Sequence, residues 1–425
     1  MPGIKASLKT ALPEPVMRRL LSAYHFFLAW LGAVLYGYPS RAMLVVGVTG
    51  TKGKSSVVEM IGAMLEEAGY KTALLNSIRF KAGERSERNL TRMSMPGRFF
   101  IQKFLHDAEA EGCTAAVLEM TSEGARQARH RFIDLDALVF TNLAPEHIES
   151  HGSMESYADA KFEIGRQLER SVKRPRVVVA NADDRESPRY LTLGVEHALP
   201  FTLADNKPYE ADEHGGFFTF DETKVVVHLP GEFSLMNALS AATAARALGI
   251  PMPAIVRALD RLTGIPGRAE RIEAGQDFTV VVDYAHTPDS LLALYDAYGA
   301  LRKICVLGAT GGGRDTWKRP VMGRIAGERC DAVILTNEDP YDEDPRQIVD
   351  DLARACGKKP EIIMDRRAAI RRALELAHAG DAVLITGKGT DPNIAGARGE
   401  RTPWSDATVA REELERLKAG ARPAP

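Results

Sequence analysis

Gly47-Val48-Thr49-Gly50-Thr51-Lys52-Gly53-Lys54-Ser55-Ser56 follows the apolar run Met43-Leu44-Val45-Val46 and leads into Val57, Val58, Met60, Ile61, Met64 and Leu65 at helical spacing. A buried strand, a glycine-rich turn and a helix in that order form a phosphate cradle. Glycines let backbone N–H groups approach phosphate oxygens, and the helix N-terminus adds partial positive charge. In such a cradle Lys54 reaches the terminal phosphates and the Ser55 hydroxyl holds Mg2+. Valine at 48 stands where the usual spacing has glycine, so glycines at 47, 50 and 53 mark a variant loop.

The 425 residues suffice for two or three domains, each with its own core. A hydrophobic content of 45% and a charged content of 26% are those of an ordinary globular protein. A net charge of −2 shows no basic bias, so nucleic acid is not an expected partner. Cys113, Cys305, Cys330 and Cys356 are scattered without metal-ligand spacing and read as reduced thiols of a cytoplasmic protein.

From residue 43 onward, strand-like runs at 43–48, 114–119, 136–141, 176–180, 279–283, 303–308, 332–336 and 382–386 alternate with helical patterns such as 97–110, 156–170 and 365–379. This alternation predicts an α/β chain with mostly parallel sheets covered by helices. Region 193–234 reads instead as short antiparallel strands or loops, and Gly264-Ile265-Pro266-Gly267 breaks the chain. The expected organisation is an apolar helical extension over 1–42, an ATP-binding unit over 43–264 and a Rossmann-like unit over 265–425.

Several polar residues fall at the carboxyl edges of these strands, where open α/β sheets bind ligands. Glu119 ends the strand beside the loop strand and is suited to complete an Mg2+ shell with Ser55, although a strand-end glutamate serves equally as a cap. Thr141-Asn142-Leu143-Ala144-Pro145-Glu146-His147 brings an imidazole to the same edge. Lys161, in an amphipathic helix, reads by itself as a solvated charge. In the second unit, Asp283 at a strand end suits a ribose hydroxyl, and Arg268 near the junction suits a transferring phosphoryl group.

Together these motifs resemble the Mur ligase family of ATP-dependent peptide-bond formers, nearest the branch that adds the third stem-peptide residue. The resemblance runs from about residue 43 to about 415. It implies a P-loop-type ATPase domain followed by a Rossmann-like ligase domain. Gly50, Thr51, Lys52, Gly53, Lys54, Ser55 and Ser56 look like the family's ATP loop, and Glu119 like its Mg2+ ligand. His147 and Lys161 fall in its second metal region, which implies a carbamylated Lys161. Asn237 is implied at the adenine, Arg268 and Asp283 at the phosphate and ribose, and Ser122, Arg314, Asp339, Tyr341, Asp342, Lys388 and Asp391 around the amino acid or acceptor. The implied substrates are ATP, an amino acid and a carboxylate acceptor, either a UDP-muramyl peptide or a lipid-linked analogue.

Departures from the family pattern sharpen these expectations. Diaminopimelate-adding members carry Asp-Asn-Pro-Arg where this chain has Glu338-Asp339-Pro340-Tyr341, followed by Asp342-Glu343-Asp344. Loss of that arginine disfavours diaminopimelate, and the added acids favour a cationic amino acid such as lysine. The stretch before the loop is shorter than in the family, and its uncharged segment 20–38 occupies the place of the UDP-gripping domain. That segment either docks on the protein, which is the favoured reading and buries Phe26, Leu28, Trp30 and Leu31, or lies in a membrane interface. A folylpolyglutamate-synthase-like ligase is the alternative within this chemistry, and an inactive nucleotide-binding scaffold the alternative outside it.

Overall fold

The computed structural model describes residues 14–146, 148–313 and 315–420. All eight predicted strands are present, together with further strands of two to five residues. The first sheet contains β1 (Leu44–Thr49), β2 (Thr72–Leu75), β3 (Arg79–Ala82), β4 (Arg85–Arg88), β5 (Ala115–Glu119), β6 (Ala137–Phe140), β7 (Val177–Asn181) and β8 (His197–Phe201), in the order β4-β3-β2-β5-β1-β6-β7-β8. Only β3 runs against the others, pairing antiparallel with β2 on one side and β4 on the other. β1 therefore lies between β5 and β6, with Val48 opposite Glu119 and Thr49 opposite Phe140. The ends of these three strands open to one crevice, the position where strand order reverses in open α/β sheets.

Strand alternation divides the central core. Val46 and Val48 join one apolar cluster with the helices Lys54–Glu67 and Glu232–Ala247, whereas Val45 joins the other with the helix Arg98–Ala110. Burial on both faces explains why these strands read as continuous apolar runs. Region 193–234 is divided: β8 extends the main sheet in parallel, and β9 (Glu210–Ala211), β10 (Gly216–Phe220) and β11 (Thr223–Val227) form the expected small antiparallel sheet.

The second unit is a six-stranded sheet of β12 (Glu270–Arg271), β13 (Thr279–Asp283), β14 (Lys303–Leu307), β15 (Ala332–Leu335), β16 (Glu361–Ile362) and β17 (Ala382–Thr386), ordered β12-β13-β17-β14-β15-β16. All but β12 are parallel, and apolar clusters cover both faces. Two cysteines depart from the reduced-thiol expectation. Cys305 in β14 and Cys330 after the helix Lys318–Arg329 form a disulfide, a pairing across 25 residues that only the packing of helix on sheet creates.

The helix Glu14–Leu35 does dock, against Arg98–Ala110, but by its small side. Ala29, Gly32 and Ala33 are buried, and a Cβ at Gly32 would stand 3.5 Å from the Phe99 ring. Phe26, Trp30 and Leu31 are exposed and Leu28 is half-buried, which corrects the expectation that these four would be buried. Small residues permit close backbone approach; of the large ones, Phe26 packs by its edge on Phe132 at the rim of this contact, while Trp30 and Leu31 lie exposed.

Candidate functional site

The ends of β1, β5 and β6 and the facing edge of the second sheet enclose a cleft of about 630 Å³. Thr51, Lys52, Gly53, Lys54, Ser55 and Ser56 line one wall, and Arg268, Asp283, Tyr284 and His286 line the other. The loop requires glycine at two positions. Gly50 has φ +145°, and a Cβ there would lie 2.0 Å from Thr141 Oγ1. Gly53 has φ +84°, and a Cβ there would lie 2.2 Å from Asn237 Oδ1. Around them, Thr51 N donates to Asn142 O at 2.8 Å, Lys52 N donates to Asn142 Oδ1 at 2.9 Å, and Lys54 Nζ donates to Thr51 O at 2.9 Å.

Glu119 is buried at the head of this loop. Ser55 Oγ donates to its Oε2 at 2.8 Å, Ser77 N to the same oxygen at 3.0 Å, and Ser94 Oγ to Oε1 at 2.7 Å. Burial alone would raise this carboxyl, but Lys54, the Ser94 hydroxyl, Arg268 and the Ser77 N–H together hold it below the usual carboxylate range. Arg268 reaches across from the second unit: its Nη2 donates to Ser55 Oγ at 3.1 Å and Ser77 Oγ at 3.0 Å, and its guanidinium lies 4.6 Å from the Tyr284 ring centroid. The anionic carboxylate, the hydroxyl and the bridging cation suit a phosphate–metal pair. Among the described residues no group of three His, Cys, Asp or Glu forms a protein-only metal cage. Mg2+ does not require one, since it is commonly held by one or two carboxylates with waters and substrate phosphates.

Lys161, expected from the residues alone to be solvated, is buried. Its Nζ donates to Gly50 O at 2.6 Å and lies 4.8 Å from the Tyr157 ring centroid. Burial, reinforced by Lys54 and Lys52, pushes the amine well below its ordinary range. Its helix, Met154–Arg170, is fixed at the start by Ser153, whose side chain accepts from Ser156 N. His147 and Arg314 lie outside the described residues. Next to His147, Glu146 is engaged: Lys52 Nζ donates to it at 3.1 Å, and His286 Nε2 lies 2.8 Å from the same oxygen. Burial and Lys52 lower His286 to about 4.

The end of the cleft beside Asn237 has an apolar wall. Phe201, Phe233, Met236 and Leu294 line the cleft beside Asn237, near the implied adenine position. Apolar residues carry no motif, so sequence reading missed them. Asp283 lines the cleft while its carboxylate accepts from Ala269 N and Ala285 N, each at 2.6 Å.

The residues expected around the amino acid separate into two groups. Asp391 lines the cleft, together with Arg92, which sequence reading did not single out. Arg92 Nη2 donates to Asp339 Oδ2 at 2.6 Å and to Asp391 Oδ2 at 3.0 Å. Lys388, fully buried beneath them, donates to Asp339 Oδ1 at 2.8 Å and Asp391 Oδ2 at 3.2 Å. Ser122, Tyr341 and Asp342 do not line the cleft; Thr121 does, in the place expected of Ser122. The acidic run is already occupied. Asp342 accepts from Arg398 N, Glu343 binds the buried Arg319 through both oxygens at 2.6 and 2.8 Å, and Asp344 caps the helix Pro345–Arg354. These acids therefore do not form the ammonium-binding surface expected of them.

Comparison with known proteins agrees with this geometry. The Mur ligase middle domain matches residues 48–245, and the Mur ligase glutamate ligase domain matches residues 267–389. The chain is 38% identical over 438 residues to the UDP-N-acetylmuramyl-tripeptide synthetase of Roseiflexus sp. (strain RS-1), covering 96% of this chain and 85% of that protein. It is 33% identical over 420 residues to the UDP-N-acetylmuramoyl-L-alanyl-D-glutamate--2,6-diaminopimelate ligase of Halalkalibacterium halodurans, with the same two coverages, 96% and 85%. The fold alone matches the folylpolyglutamate synthase of Mycobacterium tuberculosis, with a TM-score of 0.67 at 17% identity over 94% of this chain and 96% of that one. Identity of this extent along nearly the whole chain, over a cleft built from the same motifs, places the protein in the Mur ligase family.

Proposed function

We propose that this Mur ligase adds an amino acid to a carboxylate-bearing peptidoglycan precursor at the cleft between its two α/β units, with ATP activating the acceptor. The observation that carries the residue-level reading is Arg268 meeting Ser55 beside Glu119. A carboxylate does not react with an amine until it is activated. Attack of the acceptor carboxylate on the γ-phosphorus of ATP releases ADP and forms an acyl phosphate. The incoming amine then displaces phosphate and leaves an amide. Lys54 and Arg268 neutralise the charge of the transferring group, and the two walls hold the reactants in line. Mg2+, which neutralises phosphate charge when bound, would be held by Glu119 and Ser55, whose hard oxygens suit it.

Lys161 is read as carbamylated. Its amine is buried and held toward the neutral, nucleophilic form, and a carbamate would convert a cation beside the ATP loop into an anion able to hold a second metal with His147. At the amino-acid end, the sequence-based preference for lysine rested on acids that are occupied and on the loss of a cation, for which Arg92 of the other domain is the candidate replacement. We therefore read this end as suited to a zwitterionic side chain such as that of diaminopimelate, which would open the Arg92–Asp391 pair, its ammonium taking Asp391 and its carboxylate taking Arg92. A UDP-muramyl peptide is the acceptor favoured by the relatives' names, and the compartment that supplies it and ATP is the cytoplasm. The folylpolyglutamate reading is supported by fold likeness alone. An amino-acid panel crossed with UDP-muramyl dipeptide, a lipid-linked analogue and a folate tests the reading. Amide formation is expected on the UDP-linked acceptor, and formation on the folate alone would refute it.

A further inference from the structure

Ten of the fifteen exposed large apolar side chains among the described residues lie in one helix, Glu14–Leu35. Leu20, Tyr24, Phe27, Leu31 and Val34 follow one another at three- and four-residue steps and so share a face, with exposures from 37% for Leu31 to 54% for Leu20. Phe27 packs on Trp30, with ring centroids 5.8 Å apart, and both remain exposed to solvent. A helix whose other side is docked normally turns charged residues to water. From Leu20 to Leu35 this one has no charged residue at all. Contiguous apolar surface of this kind marks an interaction site.

Charge identifies the occupant. Lys5, Lys9, Arg18 and Arg19 precede the face, against the single acid Glu14. Aromatic rings with polar tips, Tyr24 and Trp30, stand within the face and suit a headgroup boundary. The helix spans 22 residues, and no described helix is long and apolar enough to cross a bilayer, so lying in the interface remains the available mode. We propose that this face seats the enzyme on the surface of an anionic phospholipid membrane. Docking on the protein and lying on the membrane are then the two sides of one helix: Ala29, Gly32 and Ala33 face the enzyme, and Leu20, Tyr24, Phe27, Leu31 and Val34 face the lipid. The surface does not depend on the ligase reading. If that reading also holds, the seat holds the cleft close to the membrane surface, since Arg98, which bonds His25 of this helix, lies four residues beyond the Glu119 partner Ser94.

The test is co-sedimentation of the full chain with vesicles of phosphatidylcholine alone and of phosphatidylcholine mixed with phosphatidylglycerol, which requires no enzymatic activity. Binding to the mixed vesicles is expected, weakened by salt. Phe27→Ser with Leu31→Ser should weaken it at least about tenfold, while circular dichroism and lipid-free elution stay those of the parent. Arg19→Glu should lower binding to the mixed vesicles. Failure to sediment, or equal binding to both vesicle types, would overturn the proposal. So would a lipid-free dimer dissolved by the double substitution, because the face would then belong to a second copy of the chain.

Discussion

Arg268 and Ser55 stand 213 residues apart in sequence, yet the guanidinium Nη2 of one donates to the hydroxyl of the other at 3.1 Å. Neither domain alone contains the site. The same closure is made by His286 on Glu146 and by Arg92 on Asp339, so three cross-domain contacts surround the cleft. Arg268→Ala should lower kcat about 100-fold or more, the effect of removing one donor aimed at developing charge. Single-turnover phosphate release with saturating ATP checks it, and a change confined to KM would assign Arg268 to binding only.

Lys161→Ala should remove nearly all ligase activity without unfolding the chain, and short carboxylic acids added in solution should restore part of it. The restoration separates a lost carbamate from a damaged core. Intact-protein mass analysis after mild handling, and bicarbonate labelled with carbon-13 followed by NMR, report the carbamate directly. Burial lowers the amine, so its neutral form is present below the ordinary lysine range and carbamylation should proceed near neutral pH. An unmodified Lys161 in an active, metal-loaded enzyme would contradict the assignment.

On the proposed reading, Arg92 is the residue that sets the amino acid. Diaminopimelate should exceed lysine in kcat/KM with the parent enzyme, and Arg92→Ala should cut the diaminopimelate value by about 10- to 100-fold, the scale of a lost charge-assisted pair. Lysine, lacking the distal carboxylate, should lose less. A parent enzyme that prefers lysine would return the selectivity to the loop around Tyr341.

Much of the fold was legible because its signals are local. The phosphate loop, the apolar strands and the amphipathic helices each lie within a few dozen residues, and the parallel sheets follow from their alternation. What escaped depends on contacts between distant segments. Arg92 and Asp391 are 299 residues apart, and nothing near Arg92 distinguishes it from other surface arginines. Asp342, Glu343 and Asp344 read as a free acidic run because their partners Arg398 and Arg319 and the helix end come from the folded chain. For the N-terminal helix, residue size misled. Large apolar side chains were expected inside, but close docking selected Ala29, Gly32 and Ala33.

The second unit's ligand edge rests on a buried ion pair. Arg366 donates to both oxygens of Asp406, at 2.8 and 2.6 Å, and to Thr386 O at 2.8 Å, just before Gly387-Lys388. Removing one partner leaves an uncompensated buried charge, so Asp406→Ala should destabilise the domain by about 3–5 kcal/mol. Urea unfolding measures it, and a loss under about 1 kcal/mol would show that the pair is relaxed by water.

Amino-acid-dependent phosphate release from ATP, measured on the full chain with a UDP-muramyl dipeptide and Mg2+, tests the ligase assignment most directly. The parent enzyme should release one phosphate per amide formed, and neither product should appear when the amino acid or the acceptor is withheld. Lys54→Ala and Glu119→Gln should each reduce both products together by about 100- to 1000-fold. Phosphate release that ignores the amino acid, or that survives both substitutions unchanged, would place the nucleotide chemistry elsewhere and contradict a ligase built on Ser55, Glu119 and Arg268.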